Sequence, residues 1–143
     1  MIPKIIHYCW LGDSEFPELV KKCIQSWKKK MPDWEFILWD KNCLKDLNSD
    51  WVNEAYSTKK YAFAADYIRL YAVNKFGGFY LDSDVEVLKN FAPLLDSPYI
   101  FALENEIGDI EAATFGSEPN NPYVQKCLSY YEGRHFIKKD NTY

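Results

Sequence analysis

Residues 61–87 read YAFAADYIRLYAVNKFGGFYLDSDVEV, and most of what the chain discloses starts there. The stretch from about residue 60 to 76 is patterned as a helix, and Gly77-Gly78 stops it, because glycine readily takes the left-handed turn that ends a helix. Between Ala62 and Val73 lie ten apolar residues and two charged ones, Asp66 and Arg69. A helix that is apolar nearly all round is buried, and an isolated charge there is costly unless it is paired or holds something. The spacing of three puts Asp66 and Arg69 on one face, so an internal salt bridge and a ligand contact are both open. The glycines would also let the backbone approach a ligand closely.

Phe79-Tyr80-Leu81 then reads as a short buried strand that delivers Asp82-Ser83-Asp84, with Val85-Glu86-Val87 beyond. If this segment is extended, alternate residues face opposite ways, and Asp82 and Asp84 converge on one side. Oxygen-only ligation of that kind suits Mg²⁺ or Mn²⁺ rather than zinc, and so few protein ligands leave room for phosphate oxygens. An EF-hand loop is excluded, since Val87 stands where such a loop requires Gly and Pro93 where it requires Glu.

Outward from this centre the pattern alternates. Residues 3–10 (PKIIHYCW) form a short apolar run ended by Leu11-Gly12-Asp13, a buried strand and its turn. Pro17 opens a helix to about residue 30, with lysines in its last turn, and residues 35–39 (EFILW) form a second strand ending at Asp40. Strand, crossover helix and strand make a βαβ unit, hence a parallel pair. Residues 41–58 are polar and weakly patterned, with a short helix expected around Trp51. Downstream come a strand at 99–102, the stretch Ala112-Ala113-Thr114-Phe115, a loop at 118–122 and a helix at 123–132. The expectation is one α/β domain over 1–143, a mostly parallel sheet flanked by helices. Ligands of such sheets bind at the carboxyl ends of the strands, where Asp82 and Asp84 would lie.

Composition narrows the function classes. The chain has 143 residues, 48% hydrophobic and 27% charged, and a net charge of −4, which speaks against nucleic acid as a partner. The run Lys28-Lys29-Lys30 closes a helix, where cations complement the dipole, and reads as a solvated helix end. Aromatic residues make up 17% of the chain, suited to stacking on sugars or bases but better explained by a bulky core. Cys9, Cys23, Cys43 and Cys127 show no metal-ligand spacing and are expected to be reduced thiols. Residues 1–4 carry no leader pattern, and no stretch approaches the roughly 20 apolar residues of a membrane span, so a cytoplasmic location is expected.

The string Ala64-Ala65-Asp66-Tyr67-Ile68-Arg69 followed by Gly77-Gly78-Phe79-Tyr80-Leu81-Asp82-Ser83-Asp84 resembles the signature of the DXD-motif sugar transferases. These include bacterial capsule and lipopolysaccharide glycosyltransferases, initiating mannosyltransferases of yeast and the catalytic domains of clostridial glucosylating toxins. The opening Ile2-Pro3-Lys4-Ile5-Ile6-His7-Tyr8-Cys9-Trp10-Leu11-Gly12 resembles their first strand, so the likeness spans residues 1–91. It implies a GT-A fold and a metal-dependent, retaining transfer from a nucleotide-sugar donor, a UDP-sugar first, to a glycan acceptor. It further implies that Trp10, with Leu11 and Gly12, meets the base and that Asp66 and Arg69 hold hydroxyls of the donor sugar. Asp84 would ligate Mn²⁺ or Mg²⁺, Asp82 would touch the ribose and the metal shell, and Tyr80 would lie near the diphosphate. Attachment to the inner face of a membrane is compatible with that role.

The likeness thins toward the end of the chain. Family members run longer, and their later segment supplies another metal or diphosphate contact and much of the acceptor site. Here residues 138–143 (KKDNTY) carry no such motif, and relatives tend to have an Asn near Ala112, where this chain reads Ala112-Ala113-Thr114-Phe115. The acceptor-side segment is therefore expected to be absent, and donor binding is the firmer expectation than turnover. A metal-dependent nucleotidyltransferase remains a rival, lacking a clear third carboxylate beyond Glu86, and so does a non-catalytic sugar-binding module. His7 within the first strand reads as a core histidine. Trp39-Asp40 at the end of the second strand, and Glu104-Asn105-Glu106 after the fourth, are weaker candidates for ligand contact.

Overall fold

The computed structural model describes all residues from Met1 to Tyr143. Strand β1 (Ile5–Cys9) is followed by helix α1 (Glu18–Lys30) and β2 (Glu35–Trp39), the βαβ unit that the apolar runs predict. A 3₁₀ turn at Lys41–Cys43 and two short helices, α2 (Leu44–Leu47) and α3 (Asp50–Ser57), lead into α4 (Tyr61–Phe76) and β3 (Gly78–Leu81). Then come β4 (Tyr99–Leu103), β5 (Ile110–Ser117) and α5 (Pro122–Ser129).

The five strands form one sheet in the order β2-β1-β3-β5-β4. β1 runs parallel to both β2 and β3, whereas β5 lies antiparallel to β3 and to β4. The sheet is thus mixed rather than mostly parallel. The reason is connection length: only residues 104–109 separate β4 from β5, and a parallel pair needs a crossover of a dozen or more residues.

The period of two along β1 and β3 sorts their side chains between two layers. Ile6, Tyr8, Phe79 and Leu81 pack with Val20, Ile24 and Trp27 of α1. On the other face Tyr80, Phe115 and Val73 form one cluster, and Leu11, Val52, Ala55, Ala64 and Ile68 another. α4 is clamped between the sheet and α3 and α5, which is why it is apolar on nearly every side.

Gly77 and Gly78 serve this packing and not a ligand, as their backbone freedom had suggested. They lie at the start of β3, the end remote from Asp82. Gly78 has φ +100°, and a Cβ there would stand 2.6 Å from the Ile5 carbonyl oxygen. Gly77 caps α4 through its N–H to the Val73 carbonyl, 2.9 Å away.

His7 is fully buried and satisfied on both nitrogens. Its Nε2 lies 2.9 Å from the Gly77 carbonyl, and its Nδ1 accepts from the Trp39 indole at 3.1 Å. Ahead of the exposed polar residues 138–143 the chain is anchored to the core. Phe136 is 3% exposed, and one carboxylate, Glu54 on α3, accepts from the amides of Phe136 and Ile137 at 2.7 and 3.1 Å. No helix is long and apolar enough to cross a membrane, and all four cysteines are unpaired thiols. Burial pushes the Cys9 and Cys43 thiols up to about 12 and about 11, so they stay protonated and unreactive at neutral pH.

Candidate donor and metal site

β1 sits between β2 and β3, so the chain leaves it on one side and returns on the other. The carboxyl ends of β1 and β3 therefore flank a crevice at a topological switch point. Trp10-Leu11-Gly12 follows one end and Asp82-Ser83-Asp84 the other.

The acidic triplet is not extended. The Val85 amide donates to the Asp82 carbonyl at 3.0 Å, closing a tight turn, so strand alternation is not what brings the two carboxylates together. Both flanks are held. The Asp82 amide donates to the Ala113 carbonyl at 2.8 Å, and α1 grips the far side: Trp27 Nε1 donates to the Val85 carbonyl at 2.6 Å, and the Val87 amide to Ser26 Oγ at 2.9 Å. Val85-Glu86-Val87 forms this anchored leg.

Arg69 is the hub of the site. Its guanidinium lies 3.6 Å from Asp66 Oδ1 and 3.4 Å from Asp82 Oδ1, joining α4 to the end of β3. Nε donates to the Ala65 carbonyl at 3.2 Å and Nη1 to the Ala112 carbonyl at 2.7 Å. The guanidinium carbon also stands 4.7 Å over the Tyr80 ring. The internal ion pair foreseen within α4 therefore exists, but Arg69 shares it with a second carboxylate from another element. Burial pushes the carboxyls of Asp66 and Asp82 above the usual range and Arg69 pulls both down; the Asp82 charge raises Asp66 further, and Asp84 and Glu111 raise Asp82. Desolvation wins over one shared cation, so both carboxylates favour a further cation or a hydrogen-bond donor.

The other site residues are less alike than expected. Tyr80, foreseen beside the diphosphate, is 2% exposed beneath Arg69, near enough to Asp82 for its hydroxyl to lower that carboxyl. Trp10 is half-buried, packs edge-on against Phe16 at 5.3 Å and donates its indole N–H to the Ser14 carbonyl at 2.9 Å. Leu11 is 3% exposed in the core, so only its backbone is available to a base. Gly12 has the Tyr61 ring 3.4 Å from where a Cβ would stand. Trp39 is committed to His7 and the rings of Tyr71 and Phe76, and Asp40 caps the following turn. Asn105 closes the β4–β5 turn by accepting from Ile107, Gly108 and Asp109.

Whether a divalent ion fits is decided by the donors. Asp84 is exposed and enters none of the ion pairs. Asp82 adds a second carboxylate, but no group of three metal-ligating side chains exists anywhere in the chain. Two carboxylates fit an ion shared with phosphate oxygens, not a closed protein cage. Glu111 on β5 is near enough to raise the Asp82 carboxyl, yet its own Oε1 accepts from the Ala113 amide at 2.7 Å. It is thus a poor third ligand for two-metal nucleotidyl transfer.

Sequence reasoning missed three contributors: the Ala112 carbonyl, Glu111 and Tyr131. Burial and the nearby Asp66 carboxylate push the Tyr131 hydroxyl up to about 12. Nothing local to these residues announces their place, since they reach the site from β5 and the segment after α5.

A family profile described as "glycosyltransferase sugar-binding region containing DXD motif" matches residues 17–101, which include Asp66, Arg69, Asp82 and Asp84. Inositol phosphoceramide mannosyltransferase 1 of Schizosaccharomyces pombe is 27% identical over 147 residues, covering 96% of this chain and 46% of its own. Inositol phosphoceramide mannosyltransferase 2 of the same yeast is 31% identical over 136 residues, covering 92% and 39%. A mannosyl phosphorylinositol ceramide synthase of Saccharomyces cerevisiae is 29% identical over 144 residues, covering 96% and 37%. This chain thus spans less than half the length of these curated relatives, which come from yeasts and not from bacteria. Among solved structures, the PaToxG glycosyltransferase superposes with a TM-score of 0.74 at 21% identity, over 93% of this chain and 63% of that one. That likeness concerns the fold.

Proposed function

The chain belongs to the DXD-containing glycosyltransferase family, and from that premise we propose that it binds a nucleotide-sugar donor together with a divalent cation and transfers the sugar to an acceptor hydroxyl. One observation carries the reading: Arg69 ties Asp66 and Asp82 together beside the exposed Asp84, at the crevice between the carboxyl ends of β1 and β3. Curated relatives named as mannosyltransferases favour mannose as the sugar, which moves GDP-mannose ahead of the UDP-sugar expected from sequence.

In this reading Asp84 and Asp82 hold Mn²⁺ or Mg²⁺ against the diphosphate. When bound, such an ion neutralises the charge that develops on the leaving diphosphate. Asp66 turns its remaining oxygen to a sugar hydroxyl, fixed in direction because Arg69 grips only Oδ1. Its carboxylate, and that of Asp82, stabilise the oxocarbenium character that the anomeric carbon gains as its bond to the diphosphate breaks. Retention at the anomeric carbon, a cytoplasmic site of action and contact with a membrane's inner face belong to the same proposal.

Calorimetry with GDP-mannose, UDP-glucose and plain nucleoside triphosphates, with and without Mn²⁺, tests it. A nucleotide sugar should bind only with the cation, and Asp84→Ala should abolish that dependence in a protein of unchanged melting temperature. Cation-dependent binding of wild-type strength in Asp84→Ala would sink the metal assignment. Preference for triphosphates would favour nucleotidyl transfer, and metal-free glycan binding would favour a lectin-like module.

A further inference from the structure

Asp66 keeps one oxygen free for a ligand, but the hydrogen-bond donor expected to work beside it is committed elsewhere. The Arg69 side chain is 11% exposed, and two backbone carbonyls and two carboxylates already take its N–H groups. A sugar hydroxyl both donates and accepts hydrogen bonds, so an acceptor alone satisfies half of it. The missing half is a donor on the same cavity.

Beyond Arg69 the site opens into a groove of about 560 Å³ between α4, α5 and the β4–β5 pair, and three tyrosines line it. Tyr130 is 56% exposed, with the Arg134 guanidinium 3.7 Å over its ring. The Tyr123 hydroxyl is raised chiefly by Cys127. Tyr131 differs from both. Its ring meets Trp51 edge-on at 5.0 Å and Tyr67 edge-on at 5.8 Å. Trp51 is itself held by its indole N–H on the Phe63 carbonyl at 2.8 Å, and the chain beyond Tyr131 is pinned where Glu54 accepts from the Phe136 and Ile137 amides. Packing on both sides thus sets the direction of the ring. Burial first, then the Asp66 carboxylate, pushes the Tyr131 hydroxyl up to about 12, with Tyr130 and Cys127 adding and Arg69 opposing; no hydrogen bond from the protein contributes. Those four neighbours all line the groove, so the hydroxyl lies on the groove side of the ring. It stays protonated at neutral pH and has its proton to give.

We propose that Tyr131 is a specificity-determining residue for the donor sugar, its hydroxyl donating to the same sugar hydroxyl whose proton Asp66 accepts. The inference rests on the sugar-transfer reading above, which supplies the sugar. A donor and an acceptor fixed around one hydroxyl discriminate against a ligand that lacks it, because both are then left unpaired.

The test compares GDP-mannose with GDP, and UDP-glucose with UDP, by calorimetry with Mn²⁺ on the wild-type chain and on Tyr131→Phe. Phenylalanine keeps the ring against Trp51 and Tyr67 and removes only the hydroxyl. The ratio of nucleotide-sugar to nucleotide affinity should fall by about two- to tenfold, the usual contribution of one hydrogen bond, while diphosphate affinity and melting temperature stay unchanged. Tyr67→Phe is the control, since Tyr67 packs against Tyr131 but does not line the groove, and it should keep the wild-type ratio. Monodeoxy analogues of the sugar locate the contact: one of them should lose as much affinity in the wild type and nothing further in Tyr131→Phe. An unchanged ratio in Tyr131→Phe, or an equal fall in Tyr67→Phe, overturns the role of Tyr131 and leaves the transferase reading standing. Deoxy losses that add to that of Tyr131→Phe at every position do the same. A wild-type chain that binds neither nucleotide sugar overturns both.

Discussion

Acidification should unfold this protein through His7. The imidazole is fully buried, with Nε2 at the Gly77 carbonyl and Nδ1 receiving the Trp39 N–H, which assigns a neutral ring protonated on Nε2. A second proton would set Nδ1–H against the Trp39 donor and place a charge in an apolar layer. Burial therefore lowers the His7 pKa from the ordinary 6.5 to about 4, although the hydrogen bond to Gly77 raises it in part. The unfolded chain takes up the proton near 6.5 and the folded chain only near 4, so stability is fully present above 6.5 and lost as pH falls through that window. At about 1.4 kcal/mol per pH unit the loss amounts to about 3 kcal/mol, a large part of a small domain's stability. Asp66 and Asp82 act in the opposite sense, because their raised pKa values make them less unfavourable as they protonate at lower pH. The His7 contribution is thus best isolated by comparing urea midpoints from pH 7 to 4.5 in wild type and His7→Gln, a variant that keeps a donor and an acceptor but does not titrate. The chain has two histidines, so a proton NMR titration resolves each ring. Hydrogen bonding to Glu54 raises the His135 pKa, and its resonance should move above the ordinary midpoint. The His7 resonance should stay still down to the onset of unfolding. A His7 ring that titrates between pH 6 and 7 in folded protein would refute the reasoning.

Arg69→Met removes two hydrogen bonds from a charged donor and leaves Asp66 and Asp82 facing each other without a cation, which should cost about 3 kcal/mol by urea denaturation. Arg69→Lys, with the charge but not the fork, should recover only part of it, and full recovery would mean that charge alone matters. Gly78→Ala and Gly133→Ala both put a side chain at positive φ, but a Cβ meets the Ile5 backbone at Gly78 and open space at Gly133. Gly133→Ala should lose about 1 kcal/mol and Gly78→Ala at least about twice that; equal losses would mean that the close approach is unimportant.

Much of this architecture is written in short-range pattern. The apolar run 3–10, the helical spacing after Pro17 and the period change at Gly77-Gly78 each report on residues within a turn or two, and β1, α1, β2, α4 and β3 form where they predict. The separation of three between Asp66 and Arg69 already places them together, and the order of Asp82 and Asp84 after a buried strand puts them at its carboxyl end. What needed the tertiary structure is whatever joins distant positions. No local period tells that β5 returns antiparallel beside β3, that Arg69 spans from α4 to Asp82 and to the Ala112 carbonyl 43 residues away, or that Glu54 holds the backbone of Phe136, 82 positions on. The turn at Asp82–Val85 likewise depends on Trp27 and Ser26 gripping its far leg. Periodicity encodes which side of an element is apolar, but not which partner that side meets. Partner choice comes from packing the layers together, and in this chain it made a lone pair in one helix into a three-residue charge cluster.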